Sequence, residues 1–446
     1  MSEPLAIPLG DLADCFEGVI PSVVATLDAT GLPNVTYLSQ VYLVDAAHVA
    51  LSNQFFSKTA ANVRATGRAA VVVSSGRTGE QYALDLAFDR SLDHGEVFER
   101  MSAHLRVIAT LHGLGEVMAL RSAEIYRVLA VRRIPDPPGT APPPPRPGVD
   151  PRLSLAAGIA ADLAAETDSE AMIERVLGGL TGEFGFEAAM LLTLDEAAGR
   201  LAAVASRGYR EGGAGAEVAL GDGPIGIAGE TRRIVRLSDM SRGRRMAAAV
   251  TGEPLATVIP LPGLADPYSQ IAVPLIGRGR LMGVLFAESA RRFRFDAADE
   301  AALGLLAGQL AAGLRLAEID AAETAAAPAL PAARPGGGRA FQVKYFAHDD
   351  SLFIDGDYLI KGVAGRLLAH FLAAHVRDGR RDFTNREIRL EPSLRLPGLK
   401  DNLETRLILL RRRLEEKAAP VRLARPGRGQ IRLELDGAPV LEIVDA

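Results

Sequence analysis

The sequence predicts a multidomain α+β chain, and three observations predict it. At 446 residues the chain is too long for a single hydrophobic core, and about three domains are expected. Two low-complexity stretches cut it: Pro135–Pro147 (PDPPGTAPPPPRP), a semi-rigid extended spacer, and Ala321–Gly338 (AAETAAAPALPAARPGGG), a helical tail that ends as a flexible linker. Around them, short β-rich runs bounded by turn residues accompany segments of helical periodicity. The modules are read as 1–134, 150–320 and 341–446, with linkers over 135–149 and 321–340.

Composition is that of ordinary globular protein, with no Trp and a net charge of −5. Apolar runs are interrupted by charge before membrane-spanning length, and the first residues lack a basic-then-apolar signal pattern, so no membrane partner and a cytoplasmic location are expected. Cys15 is the only cysteine, which excludes an internal disulfide and a Cys-based metal site. The acidic balance is uneven. Residues 400–432 hold ten Lys/Arg against four Asp/Glu, a net +6 that leaves −11 on the rest. A local basic patch is what contact with a phosphate backbone requires.

In the first module, Ser22–Leu27 and Asn34–Leu43 read as paired strands around the turn cluster Ala29–Pro33. His48–Leu51, Ala69–Ser74, Gln81–Phe88 and Ala123–Val131 are further strands. Thr59–Arg64 is a short helix, and Val97–Leu120 is mostly helical with an interruption at Gly113–Gly115. Antiparallel strands with few helices suggest a small β-barrel. Ser57, Lys58 and Thr59, with Asn62 one turn on, combine a cation, hydroxyls and a helix N-terminus, the parts of an anion site.

LSNQFFSKTAANVRATGRAAVVV (51–73), behind ATLDATGLPNV (25–35), resembles the pyridoxamine 5′-phosphate oxidase-like split barrels. The resemblance implies FMN, with Ser57, Lys58, Thr59 and Asn62 at its phosphate and Ser39 and Gln40 beside the ring. Haem and the deazaflavin F420 are the family's other cofactors. Arg127, Arg132 and Arg133 have no substrate-phosphate motif around them, so pyridoxamine phosphate oxidation is not expected. His94, His104 and His112 are read as surface or helix-packing residues ahead of haem ligands.

In the second module, Leu153–Ala164 and Ser169–Phe184 are amphipathic helices. Ala188–Leu194, Leu201–Ser206, Val235–Leu237, Ser269–Ile276 and Leu281–Ala287 are strands, and Asp296–Leu316 is a long helix. The glycine-rich 221–229 lacks the Gly-Lys-Ser/Thr ending of a phosphate loop. GDGPIGIAGETRRIVRLSDM (221–240), IAVPLIGRGRLMGVLFAES (271–289) and FDAADEAALGLLAGQLAAGL (295–314) together resemble a GAF domain. That implies a pocket for a small molecule over the sheet. With neither Cys nor His in the module, a cysteine-linked chromophore and His-ligated haem are excluded there. Arg242, Arg244 and Arg245 are read as solvated. The last helix is apolar on more than one face, through Ala301, Leu305, Ala312 and Leu316 besides Leu303, Leu306, Leu310 and Leu314, so a homodimer is expected.

In the third module, Phe341–Phe346 and Ser351–Ile354 are strands and Val363–His375 is a helix. Thr384 caps a short helix, Asn385–Leu390. Asp401–Glu416 carries an apolar stripe, Leu403, Leu407, Leu410 and Leu414, with Arg411–Arg413 at its end. Val421–Ala424 and Gln430–Leu435 flank a basic turn, Arg425–Gly429. Helix, helix and hairpin make a winged-helix pattern, and NLETRLILLRRRLE with RPGRGQIRL resembles the recognition helix and wing of response-regulator output domains. That resemblance implies double-stranded DNA as partner, with Lys400, Asn402, Arg406, Arg412, Arg425 and Arg428 as candidate contacts. Ile408 and Leu409 lie off the leucine stripe, free either for thymine methyls or for a protein partner. The chain is read as a sensory transcriptional regulator in which barrel and GAF pocket sense a small molecule or redox state. An FMN-dependent oxidoreductase and an interaction scaffold are the alternatives.

Overall fold

Asp28 starts the first hairpin: its Oδ1 accepts from the backbone N–H of Thr30 and of Leu32, each at 2.9 Å, closing the turn between two strands. The computed structural model describes residues 5–54, 58–111, 119–135, 151–196, 198–240, 259–323, 339–396 and 403–444. The first module comprises β1 (Ser22–Leu27), β2 (Pro33–Leu38), β3 (Val41–Leu43), β4 (His48–Asn53), α1 (Lys58–Thr66), β5 (Arg68–Ser74), β6 (Gln81–Leu92), α2 (Glu96–Leu111) and β7 (Ser122–Ile134). A 3-10 helix, Leu9–Phe16, precedes them. The strands form one curled half-barrel sheet in the order β2-β1-β5-β6-β7-β4-β3. The single strand expected over 34–43 is two. The chain breaks at Ser39–Gln40, where Gln40 O accepts from Ser52 N, and β2 and β3 become opposite edges of the sheet.

The second module comprises α3 (Arg152–Ala165), α4 (Ser169–Gly182), β8 (Ala188–Asp195), β9 (Arg200–Arg207), β10 (Glu217–Ala219), α5 (Gly223–Thr231), β11 (Val235–Leu237), β12 (Ser269–Gly277), β13 (Arg280–Ser289) and α6 (Ala297–Glu323). The antiparallel sheet runs β10-β9-β8-β13-β12-β11. Its strands alternate. Leu191, Val204, Val273 and Leu285 face α3, α4 and α6, while Met190, Leu192, Ala203 and Phe286 face the side covered by α5. Ala103 and Val107 of α2 join that second core, so a helix of the first module helps cover the GAF-like sheet. Asp168 caps α4 by accepting from Glu170 N and Ala171 N at 3.0 Å. Residues 297–321 of α6 are apolar and long enough to cross a membrane, contrary to the reading of the sequence; this helix packs against α3, α4 and β12.

The third module comprises β14 (Phe341–Phe346), β15 (Ser351–Ile354), β16 (Asp357–Ile360), α7 (Gly362–Asp378), β17 (Asp382–Thr384), α8 (Asn385–Leu390), α9 (Leu403–Glu416), β18 (Val421–Ala424), β19 (Gln430–Leu435) and β20 (Pro439–Val444). A four-stranded sheet runs β16-β15-β14-β20, with β20 parallel to β14, and a three-stranded sheet runs β17-β19-β18. Thr384 and Glu387 make a capping box at α8. The stripe Leu403, Leu407, Leu410 and Leu414 is buried, together with Leu367, Leu368 and Phe371 of α7. This core is continuous with that of α3, α4 and α6, so the second and third modules share one apolar interior.

Candidate functional site

The barrel site divides into two unlike ends. At the phosphate end, Lys58 is exposed, but Thr59 Oγ1 accepts from Asn34 Nδ2 and Asn62 Nδ2 donates to Thr26 Oγ1, each at 3.1 Å. Thr59 and Asn62 thus each engage one polar atom inside the barrel wall; Ser57 lies outside the described residues. At the ring end, Ser39 Oγ donates to Gln54 Oε1 at 3.1 Å, while the buried atoms Gln40 Oε1, Ser52 Oγ, Asn53 Oδ1 and Gln54 Nε2 have no hydrogen-bond partner. The adjoining cavity, lined by Leu51, Ser52, Thr59, Val63, Phe88 and Tyr126, measures about 170 Å³. Ligands of drug size take roughly 300–1,000 Å³. Lys58 and Arg64 are the cations that the described residues place near this cavity for an FMN phosphate. The histidines do not collect around a haem. His94 is 91% exposed, His104 is buried in a helix interface, and His112 lies outside the described residues. Among the described residues, no group of three or more His, Cys, Asp or Glu could hold a metal ion.

The GAF-like module holds a second cluster, which reading the sequence missed. Glu288, near the end of β13, is 2% exposed. Its Oε1 accepts from Leu264 N at 2.6 Å and its Oε2 from Gln270 Nε2 at 3.0 Å. Burial raises the carboxyl pKa above its ordinary value, and hydrogen bonds from Leu264, Gln270 and Tyr209 only partly offset that. Beside it, Gln270 Oε1 is buried and has no hydrogen-bond partner. Burial, the Glu288 charge and the hydrogen bond to Glu288 push the Tyr209 phenol up. A buried carboxylate next to an unused carbonyl oxygen is suited to a ligand with N–H donors. Tyr209 also lines a groove of about 720 Å³ with Gly213, Pro260, Gly263, Tyr358 and Glu416, between the second and third modules. The signal in the sequence was a lone glutamate in an apolar strand, GVLFAES. The loop containing Arg242, Arg244 and Arg245 lies outside the described residues.

Among the described residues the predicted DNA contacts are already paired: Arg406, Arg412 and Arg425 are partly buried and Arg428 is exposed, and each meets a carboxylate of the second module. Arg406 pairs with Asp195 at 3.0 Å, and Arg412 with Glu174 and Glu170. Arg425 pairs with Asp168 at 2.8 Å and Glu404 at 2.6 Å, and Arg428 with Asp320 at 2.6 Å. Arg411 pairs with Glu170, and Arg389 with Glu318. Ile408 and Leu409 are both buried, so neither is free for a thymine methyl. The physical reason is tertiary: α9 packs against α4, α6 and β9. Lys400 and Asn402 lie outside the described residues.

Residues 166–315 match the family model described as GAF domain. No curated protein matches the chain. Among solved structures, the GAF domain from an Acinetobacter phosphoenolpyruvate-protein phosphotransferase is 22% identical over 37% of this chain and 93% of its own, with a TM-score of 0.31. Free methionine-R-sulfoxide reductase from Neisseria meningitidis, in complex with its substrate, is 24% identical over 38% and 91%, with a TM-score of 0.31. An FMN-binding protein from Syntrophomonas wolfei is 15% identical over 28% and 85%, with a TM-score of 0.25. The middle of this chain, residues 166–315, is a GAF domain.

Proposed function

We propose that this protein is a sensory regulator. Its GAF domain binds a small molecule bearing an amine or amide donor, and its third module is a winged-helix output for double-stranded DNA. The observation that carries the sensing half is Glu288, a carboxylate kept buried beside the Tyr209 hydroxyl and the unpartnered Gln270 Oε1. Holding a charge away from water destabilises a fold unless the charge is used, and a donor-bearing ligand would use it. The output half is supported by the order α7, α8, α9 and hairpin β18–β19, by the β17-β19-β18 sheet, and by the cations gathered on α9 and the hairpin. With no Cys or His in the GAF domain, thiol and imidazole chemistry have no residues there.

The sensing half is tested by thermal-shift titration of the full chain with free amino acids and simple alkyl amines. Binding of at least one of these, lost in both Glu288→Gln and Tyr209→Phe, is the expected result. Equal shifts in wild type and both variants would remove Glu288 as the recognition group.

A further inference from the structure

Five cations of α9 and the hairpin, Arg406, Arg411, Arg412, Arg425 and Arg428, and Arg389 of α8 face carboxylates of one other module. Asp168, Glu170 and Glu174 come from α4 and its cap, Asp195 from the end of β8, and Glu318 and Asp320 from the end of α6. Two of these positions are costly for the GAF domain itself. Glu318 and Asp320 lie near the C-terminus of α6, the negative end of its dipole, where carboxylates weaken a helix and cations would support it. Glu318 is also buried, and besides pairing with Arg389 it accepts from Glu404 N at 3.0 Å, at the start of α9. Their placement serves the third module instead of the helix that carries them.

The seam joins a shared apolar interior, which includes Ile408 and Leu409, to a rim of ion pairs. Two clefts open along that rim. One, of about 270 Å³, lies between Thr193, Asp195 and Ala202 on the GAF side and Lys361, Arg406 and Leu409 opposite. A second, of about 300 Å³, lies between Asp168, Glu170 and Ala317 and the facing Glu404, Arg411 and Arg428. The cations also crowd one another: after burial, the neighbouring Arg425 is the largest influence lowering the pKa of Arg411. Without the facing carboxylates these like charges would repel.

We propose that the GAF carboxylates stand in for the phosphates of a DNA backbone, an autoinhibitory clamp that keeps α9 and the hairpin from duplex DNA until α9 leaves the GAF surface. The proposal rests on the winged-helix reading of the third module and adds its regulation. Both the clamp and DNA use the same arginines, so occupancy by one excludes the other, and DNA affinity depends on how firmly the clamp is closed.

The test uses the full chain, with Glu170→Gln/Glu174→Gln/Asp320→Asn against wild type. Hydrogen exchange of residues 403–416 reports opening, exchange of β8 and β13 reports the GAF fold, and anisotropy with a labelled mixed-sequence duplex reports binding across a salt series. The triple variant is expected to exchange faster in α9 alone and to bind DNA at least tenfold more tightly at low salt. That gain should disappear when Arg412→Ala/Arg428→Ala is added. Unchanged protection of α9 in the triple variant overturns the clamp, as does wild type binding DNA as tightly as the variant. An opened α9 with no DNA binding at any salt instead defeats the DNA reading, and the clamp's function falls with it.

Discussion

The backbone N–H of Ala214 donates to both carboxylate oxygens of Glu416, at 3.1 and 3.2 Å. Ala214 lies on the GAF loop that begins at Tyr209, and Glu416 is the last residue of α9. The short loop that carries Tyr209 therefore also holds the end of α9. Glu416→Ala removes a charge-assisted acceptor, at a cost of about 1–3 kcal/mol. Hydrogen exchange should quicken in the last turn of α9 and stay unchanged in the β1–β7 sheet. Equal exchange in α9 would show that this bond holds nothing.

Glu288 fixes a pH dependence. Its folded-state pKa is raised above the ordinary 4.5, chiefly by burial. The folded chain holds this proton more tightly than the unfolded chain, so the contribution is full below pH 4.5 and is lost as pH rises through the folded value. Glu288→Gln should remove that loss, giving a domain melting about 2–4 °C higher at pH 7 and a flatter pH profile above 4.5. Calorimetry at pH 5 and pH 8 measures both. A variant less stable than wild type at pH 8 would contradict it.

His104 works in the opposite direction. Its Nε2 is buried without a partner in α2, and burial, then the Arg236 charge, lower its pKa to about 4. The unfolded chain takes the proton near 6.5, so stability is full above that value and falls as pH drops towards 4. The loss approaches about 3 kcal/mol at 1.36 kcal/mol per pH unit. His104→Leu should flatten urea midpoints measured between pH 7 and 5; a drop as steep as wild type would place the acid sensitivity elsewhere.

Glu17 joins the first two modules. Its buried carboxylate receives Arg77 at 2.9 Å and Arg236 at 3.0 Å, while Arg77 also donates to Phe293 O and Phe295 O. Glu17→Ala removes the carboxylate the two arginines share, leaving Arg77 with Asp14 and Arg236 with Glu300, a loss of about 1–3 kcal/mol. Limited proteolysis should then cut between the first and second modules faster than in wild type. Identical digestion kinetics would refute the bridge.

Leu305 and Leu316 are each 58% exposed on α6, whereas Leu303, Leu306, Leu310 and Leu314 are buried. If the expected homodimer forms through this helix, these two exposed leucines are where a second copy would pack. Leu305→Asp/Leu316→Asp should sediment as a monomer if wild type is a dimer. A dimer that survives both charges would pair through another surface.

Much of the fold was legible because it rests on local rules. The leucine stripe gave α9, Thr384 gave the cap of α8, and the turn cluster Ala29–Pro33 gave the first hairpin. Alternation over 269–289 likewise gave two sheet strands. The site was less legible. Gly223–Thr231 is a helix despite three glycines, because its apolar residues pack on the GAF sheet, and tertiary burial outweighs weak local propensity.

By itself, the sequence determined many of the helices and strands and where positive charge collects. Only the tertiary structure decided what that charge meets. Arg406 and Arg412 find carboxylates 211 and 238 residues away, and Glu288 gains its significance from a tyrosine on another strand's loop. Periodicity and capping act within a few residues of chain. Ion pairing and desolvation depend on distances through space, which packing alone sets.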